Sequence, residues 1–269
     1  MLLKVDASQL EWRVKVLLAN CPVGKKEILS GFDLHTDNQS KFELPSRTLA
    51  KIFVYRMIFA DAFGDRGFAG PAYAYANDAD FQAASKSPKY WENVVTKFFE
   101  KYPAIYEHSR GLIKLAGDTG RLSVPSGRFW TFKLEEKYNG ILDLPRTKIL
   151  NYPVQGFSAD LVQVARLNLW KATLELRSKG LVYFINTVHD DIELDVDNSP
   201  EVVYTISKEM EKAFFDIPVS FKRMYGSEID VPMAGEVKYG FTLDEESMKK
   251  FKKDTFEQDY KEYLNKHGN

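Results

Sequence analysis

Residues 181–197, LVYFINTVHDDIELDVD, constrain the fold more than any other stretch of the chain. Apolar and polar residues alternate on both sides of a short polar break, the pattern of two strands folded back on each other through a tight turn. The break holds His189, Asp190 and Asp191. Such a group serves either as a plain polar turn or as half of a metal site. The second reading requires another carboxylate from a distant part of the chain and a divalent ion to hold the two together.

The rest of the chain supplies elements around this hairpin. Leu2 to Val5 predict a short strand, and Asp6-Ala7-Ser8 is placed to cap a helix through QLEWRVKVLLAN, so Asp6 falls at a strand end just before a helix. After the break at Gly31, SKFELPSRTLAKIFVYRMIFADAFG reads as a loop with Pro45, an N-cap at Ser46 and a helix to about Phe63, closed by Gly64. Residues 64–77, rich in Gly, Ala and aromatics, read as an irregular or short-helical connection, 88–117 as two helices divided near Pro103, and GRLSVPSGRFWTF as a hairpin. A third main helix is expected after Pro153, stopped by Gly180, and VVYTISKEMEKAFF as a further helix. Strands at both ends with helices between make the fold class α+β. From about Asp244 to Asn269 the chain is dense in Lys, Glu and Asp, and reads as a solvated helix or a mobile tail. His108 and His267 read as surface residues.

Composition excludes little but bounds the partners. Lys plus Arg total 37 against 38 for Asp plus Glu, a net charge of -1, so any nucleic-acid surface must be a local basic patch. The single Cys21 excludes an internal disulfide. Lys4 and Asp6 interrupt the start before an apolar stretch can form, and Arg56 breaks IFVYRMIFA, so neither a signal peptide nor a membrane span is expected and the chain reads as soluble and cytoplasmic.

Asp6 is the distant carboxylate that the hairpin turn asks for. Magnesium takes hard oxygen ligands and commonly binds one or two protein carboxylates plus substrate phosphates, so Asp6 and Asp190 side by side suffice for two ions. Aspartates are equally at home in caps and turns, and the residues alone leave both readings open. In the helix from Ser46, Arg47, Lys51, Tyr55 and Phe59 recur every four residues and share one face. Two cations followed by two aromatics form a surface able to hold a triphosphate at one end and a base at the other. The alternative is an amphipathic helix with Tyr55 and Phe59 in the core and both cations in solvent.

Five ordered blocks resemble the family A, polymerase I-like, DNA polymerases. DASQLEWR at 6–13 resembles motif A, RTLAKIFVYRMIFA at 47–60 motif B, and VHDD at 188–191 motif C, while GFDLHT at 31–36 and NYPVQGFSADL at 151–161 match two further blocks. The resemblance runs to about Gly240 and implies an antiparallel palm sheet with helices plus a mainly helical fingers subdomain: palm 1–30, fingers 31–117, palm 118–243 and a charged C-terminal extension 244–269. It implies template-directed DNA synthesis from dNTP on primer-template DNA. Asp6 and Asp190 would bind two Mg2+ ions; Lys51, Arg47 and His35 would contact the triphosphate, with Lys51 protonating the departing pyrophosphate. Tyr55 would stack on the nascent base pair, Glu11 would exclude the ribose 2' hydroxyl, Asn151 and Gln155 would lie along template and primer, and His189 would touch the primer terminus.

Departures from the family pattern accompany the match. Motif C usually reads His-Asp-Glu, and here Asp191 follows Asp190; motif B usually ends Tyr-Gly, and here Phe59-Ala60 stands there. Tyr55 occupies a position where many members carry Phe, and its hydroxyl is expected to replace a missing sugar 3' hydroxyl, favouring dideoxynucleotides. The family's thumb, first palm strands and 3'-5' exonuclease precede motif A and do not fit before Asp6. The reading is therefore one half of a split polymerase, in a bacterial or phage-infected cell, with a second polypeptide supplying those parts. The alternatives are a truncated fragment, a non-catalytic DNA- or partner-binding remnant, and a single-subunit RNA polymerase palm.

Overall fold

The computed structural model describes residues 1–31, 33–59, 86–136 and 140–267. Strand β1 (Leu2–Ala7) leads into helices α1 (Leu10–Leu18), α2 (Pro22–Leu29), α3 (Leu34–Lys41) and α4 (Arg47–Phe59). Helices α5 (Pro88–Lys101) and α6 (Pro103–Thr119) follow, then the two-stranded pairs β2 (Arg121–Ser123) with β3 (Phe129–Thr131) and β4 (Glu135–Glu136) with β5 (Leu142–Asp143). The chain continues through α7 (Arg146–Ala172), α8 (Leu174–Ser178), the hairpin β6 (Val182–Val188) and β7 (Asp191–Val196), α9 (Pro200–Phe215), α10 (Ile217–Tyr225), β8 (Gly235–Gly240), β9 (Lys249–Lys250) and α11 (Phe256–His267). Among the described residues this is an α+β fold. It divides into two compact units, Met1–Leu10 with Ser158–Asn269, and Glu11–Phe157.

The first unit is built on an antiparallel sheet of order β6-β7-β1-β8-β9. Alternation along β1 buries Leu3 and Val5, whose register neighbours Leu194, Tyr239, Ile192 and Val237 are buried with them. Helix α9 lies against β1 and β8 and contributes Val203, Ile206, Met210 and Phe214 to the same core. Each such side chain is worth about 1.5–3 kcal/mol of burial. Gly235 makes the approach of helix and sheet possible: a Cβ there would sit 2.6 Å from Val5 Cγ2 and 3.0 Å from Phe214 Cδ2. With one face of β1 so occupied, Lys4 and Asp6 stand on the other.

In the second unit, Phe42, Phe53 and Phe98 pack mutually with centroids 5.7–6.1 Å apart, and Trp12 meets Tyr102 edge-on at 5.1 Å. A separate cluster joins Ala116, Leu122, Phe132 and Ile149.

Most expected elements form, with physical reasons where they differ. Ser46 Oγ caps α4 by accepting from Leu49 N–H at 3.1 Å, Pro103 divides α5 from α6, and GRLSVPSGRFWTF pairs as β2 and β3. The expected connection at 64–77 and the end of the motif B helix beyond Phe59 lie outside the described residues. Helix α7 begins at Arg146, well before Pro153, which lies inside it. One lost backbone hydrogen bond is tolerated there because Ile149, Leu150, Val154 and Phe157 are buried along that stretch. The polar run LHTDNQSK forms α3, capped by Asp33 through His35 and Thr36 N–H. Helix α11 is neither solvated all round nor loose: Phe256, Tyr260 and Tyr263 are buried, each in ring contact with Tyr239. His108 is half-buried rather than on the surface, and burial with the nearby charge of Lys15 lowers its pKa to about 3.

Candidate active site

The sheet register builds a carboxylate centre in the first unit. Asp6 faces Asp191 across the β1–β7 pair, and Ala7 N–H donates to the Asp190 carbonyl at 3.3 Å. Asp190 follows His189 in the two-residue turn between β6 and β7, where His189 holds a left-handed φ of 54°. Beyond Asp6, Gln9 holds φ 52° at the step from strand to helix. Both turns therefore carry a non-glycine residue in a conformation that costs on the order of 1 kcal/mol, a type of strain that gathers at sites where side chains must be aimed. A register shift between Phe184 and Asn186 adds a bulge just before the turn.

Asp6, Asp190 and Asp191 each present an oxygen, and these atoms lie within 4.8 Å of one another. Ionised together at that separation, each pair repels by about 3 kcal/mol at an effective dielectric of about 20. Desolvation, then the charges of Asp190 and Asp191, raise the Asp6 carboxyl well above the ordinary range, with Lys4 opposing. Desolvation also raises Asp191, although Lys4 pulls it down. Asp191 Oδ1 is buried, and among the described residues it has no hydrogen-bond partner. Hard anionic oxygens so crowded fit a divalent cation such as magnesium.

Lys4 is the cation inside this centre. Its Nζ lies 2.7 Å from Asp191 Oδ2 and 2.5 Å from Glu245 Oε1. Desolvation would lower its pKa, but the hydrogen bonds and charges of Asp191 and Glu245 outweigh it and hold the ammonium form above its usual range.

The remaining candidate residues, His189 apart, lie in the second unit. On α4 the buried positions are Leu49, Ala50, Phe53, Val54, Met57 and Ile58. Arg47 and Lys51 are exposed and Tyr55 and Phe59 half-buried, so the face singled out in the sequence stands outside the core. Tyr55 stacks on Phe59 at 6.2 Å with 14° between planes, and His35 approaches Tyr55 at 6.2 Å. Asp33 grips Arg47 with both oxygens, at 3.2 Å to Nε and 3.2 Å to Nη2. Burial, then the charge of Arg47, depresses the His35 pKa to about 4, so the imidazole is neutral at pH 7. Burial opposes ionisation of Asp33, yet the bonds from Arg47 and Thr36 hold it below the carboxylate range. Glu11 is half-buried on α1; on α7, Asn151 is half-buried with its Oδ1 unpartnered among the described residues, and Gln155 is exposed. His189 is exposed at the hairpin turn beside Asp190.

Three contributors escaped the sequence reading. Lys4 was legible only as the alternate-face neighbour of Asp6, and Asp33 only as the polar residue two before His35 in GFDLHT. Glu245 carries no local signal, being 241 residues from its partner.

The model of DNA polymerase family A matches residues 1–244. DNA polymerase I of Lactococcus lactis subsp. cremoris is 28% identical over 125 residues, 45% of this chain and 14% of that protein. DNA polymerase I of Lactococcus lactis subsp. lactis is 25% identical over 227 residues, 79% of this chain and 24% of that protein. The chain thus spans under a quarter of the length of either relative. Among solved structures, the polymerase domain of Pol1 from M. smegmatis, in complex with DNA primer-template and dNTP, superposes with a TM-score of 0.64. The match covers 89% of this chain and 39% of that one, and at 22% identity it establishes likeness of fold.

Proposed function

The chain belongs to DNA polymerase family A, and on that premise we propose that it carries out template-directed DNA synthesis, adding dNMP from dNTP to a primer 3' end by two-metal nucleotidyl transfer. The observation that carries this reading is the meeting of Asp6, from motif A, with Asp190 and Asp191, from motif C, within 4.8 Å. Asp6 and Asp190 hold two magnesium ions in this reading; bound there, such ions supply activation of the primer 3' oxygen and neutralisation of phosphate charge.

The chain's own side chains do the rest. Arg47 and Lys51 bind the triphosphate, Arg47 preset by Asp33 so that its planar fork loses little freedom on binding. Lys51 gives a proton to the leaving pyrophosphate, and neutral His35 donates a hydrogen bond to it. Tyr55 stacks on the nascent base pair, supported by its contact with Phe59. Glu11 occupies the space a ribose 2' hydroxyl would need, Asn151 and Gln155 contact template and primer, and His189 touches the primer terminus. In these terms residues 31–117 act as fingers and 1–30 with 118–243 as palm.

Primer-template DNA and dNTP as partners are supported by the complex of the solved neighbour. A second polypeptide supplying thumb, remaining palm and exonuclease belongs to the same reading. A cytoplasmic site in a bacterial or phage-infected cell agrees with the bacterial relatives and with the absence, among the described residues, of a helix long and apolar enough to cross a membrane.

Primer extension tests the reading, with the wild type and Asp190→Asn supplied with dNTPs or NTPs. Extension with dNTPs and a loss of about a thousandfold in Asp190→Asn are expected. Preference for NTPs would make the chain an RNA polymerase palm, and indifference to the substitution would make it a binding module. Copurification from the native host tests the partner: a lone monomer extending primers at full efficiency would remove it.

A further inference from the structure

The segment beyond the family match is anchored to the sheet, and its first residue enters the carboxylate centre. The match ends at residue 244. Glu245, next in the chain, forms ion pairs with Lys4, at 2.5 Å, and with Lys238. The turn that presents it is fixed: Ser247 and Met248 N–H both donate to the Asp244 carbonyl, at 3.0 and 3.1 Å, and the Thr242 and Ser247 hydroxyls meet at 2.8 Å. Farther along, β9 pairs with β8, Phe251 N–H donates to the Val237 carbonyl at 2.8 Å, and Tyr263 accepts from Phe241 N–H at 3.1 Å. Glu245 is therefore held by backbone ladders and buried aromatics, although its own side chain is 51% exposed.

Lys4 is the other half of this contact. It lies two residues before Asp6 on the same face of β1, and its side chain and that of Asp191 are only 16% and 15% exposed. An ammonium bonded to Asp191 and within the field of Asp6 competes with a metal for carboxylate oxygens. An acid on its far side shares that charge and fixes which oxygen the ammonium occupies. Lys4 occupies Asp191 Oδ2, and the short Asp191 side chain suits that contact.

We propose that Glu245 is a positioning residue of the carboxylate centre: by anchoring Lys4 on Asp191 Oδ2 it commits Asp191 to an internal ion pair and leaves Asp6 and Asp190 to hold the metal. The inference rests on the reading of Asp6 and Asp190 as metal ligands. It makes the extension part of the site, since the family domain alone would leave Lys4 without its second acid.

Manganese binding to the full chain tests it, read as loss of the free hexaaqua Mn2+ signal in electron paramagnetic resonance and independent of primer extension. Glu245→Gln is expected to weaken Mn2+ affinity about five- to tenfold. Glu245→Asp, which keeps the carboxylate, should recover most of it. In a Lys4→Met background the Glu245→Gln effect should fall to within about twofold, because the residue it acts through is gone. An unchanged affinity in Glu245→Gln, or an equal loss with and without Lys4, overturns the proposal. Asp190→Asn in the same titration separates the two levels: if that variant binds Mn2+ as the wild type does, the metal-site reading itself fails. If it loses affinity while Glu245→Gln does not, only the positioning role fails.

Discussion

The carboxylate centre of the first unit and the cationic face of α4 in the second are fixed in opposite ways. Asp6, Asp190 and Asp191 are aimed by backbone register, by left-handed residues in two turns and by a buried ion pair, and their oxygens are brought within 4.8 Å at an electrostatic cost. Arg47 and Lys51 reach out from one helix into solvent, and Arg47 is preset by an exposed partner, Asp33. The difference matches what each would hold in the proposed function. A small, hard ion tolerates little error in ligand position, whereas a long flexible triphosphate is met better by extended cations that settle on it.

After the loss of about a thousandfold expected of Asp190→Asn, the largest effect should come from the cationic face. Lys51→Ala is expected to lower kcat/KM for dNTP by about a hundredfold, and Arg47→Lys to fall well short of the wild type because an ammonium cannot copy the bidentate fork. Steady-state kinetics on a primer-template decide it, and a loss below about twofold would move the triphosphate site elsewhere. Next comes the packing beneath the carboxylates. Gly235→Ala would drive a methyl to 2.6 Å from Val5, which lies between Lys4 and Asp6 on β1, and should cost about 1–3 kcal/mol of stability. Urea melts measure that loss; a neutral result would mean that the sheet and α9 yield easily.

Acid should separate the two units by sign. Asp6 and Asp191 have folded pKa values above the ordinary carboxylate range, so their ionised forms cost stability that is regained as pH falls through those raised values. His35, at about 4, and His108, at about 3, are held neutral by the fold; their contribution is intact above the ordinary histidine value of about 6.5 and is lost as pH falls below it. Lys15, fully buried against Ser109 Oγ at 2.9 Å and lowered by burial to about 7, adds to the same loss in the second unit. Hydrogen exchange at pH 7.5 and 5.5, corrected for intrinsic rates and without metal, should find β1 and β7 gaining protection while α3 and α6 lose it, each by about 1 kcal/mol. Parallel changes in both units would break the contrast. The smallest effect expected is at Tyr55: Tyr55→Phe should reduce dideoxynucleotide incorporation severalfold, about 1 kcal/mol for one hydroxyl contact, with dNTP use little altered.

What the sequence disclosed depended on the range of the interaction. The hairpin around His189 and Asp190, the strand ending at Asp6 and the Ser46 cap are local patterns, and they formed as expected. Period two placed both aspartates at strand ends, and register then brought them together. Helix α7 was misjudged at its start because a proline rule cannot weigh the burial of Ile149 and Leu150 on the far side of Pro153. Helix α3 has almost no apolar period, and only its Asp33 cap and tertiary contacts sustain it. From about Asp244 to Asn269 the chain reads as a solvated helix or a mobile tail because three buried rings among many charges give a faint pattern, and nothing local says that Tyr239 receives them. Lys4 with Glu245, and Asp33 with Arg47, are pairs of ordinary surface residues until the fold brings them together.

The central claim is that β1 and the β6–β7 turn present one divalent-cation centre. Crystals soaked in Mn2+ and measured for anomalous scattering test it most directly. The account predicts a strong peak within ligand distance, about 2.0–2.2 Å, of both Asp6 and Asp190 carboxylates, with Lys4 still on Asp191. A map with no peak between those two aspartates, under conditions where Mn2+ binds elsewhere on the chain, would contradict it.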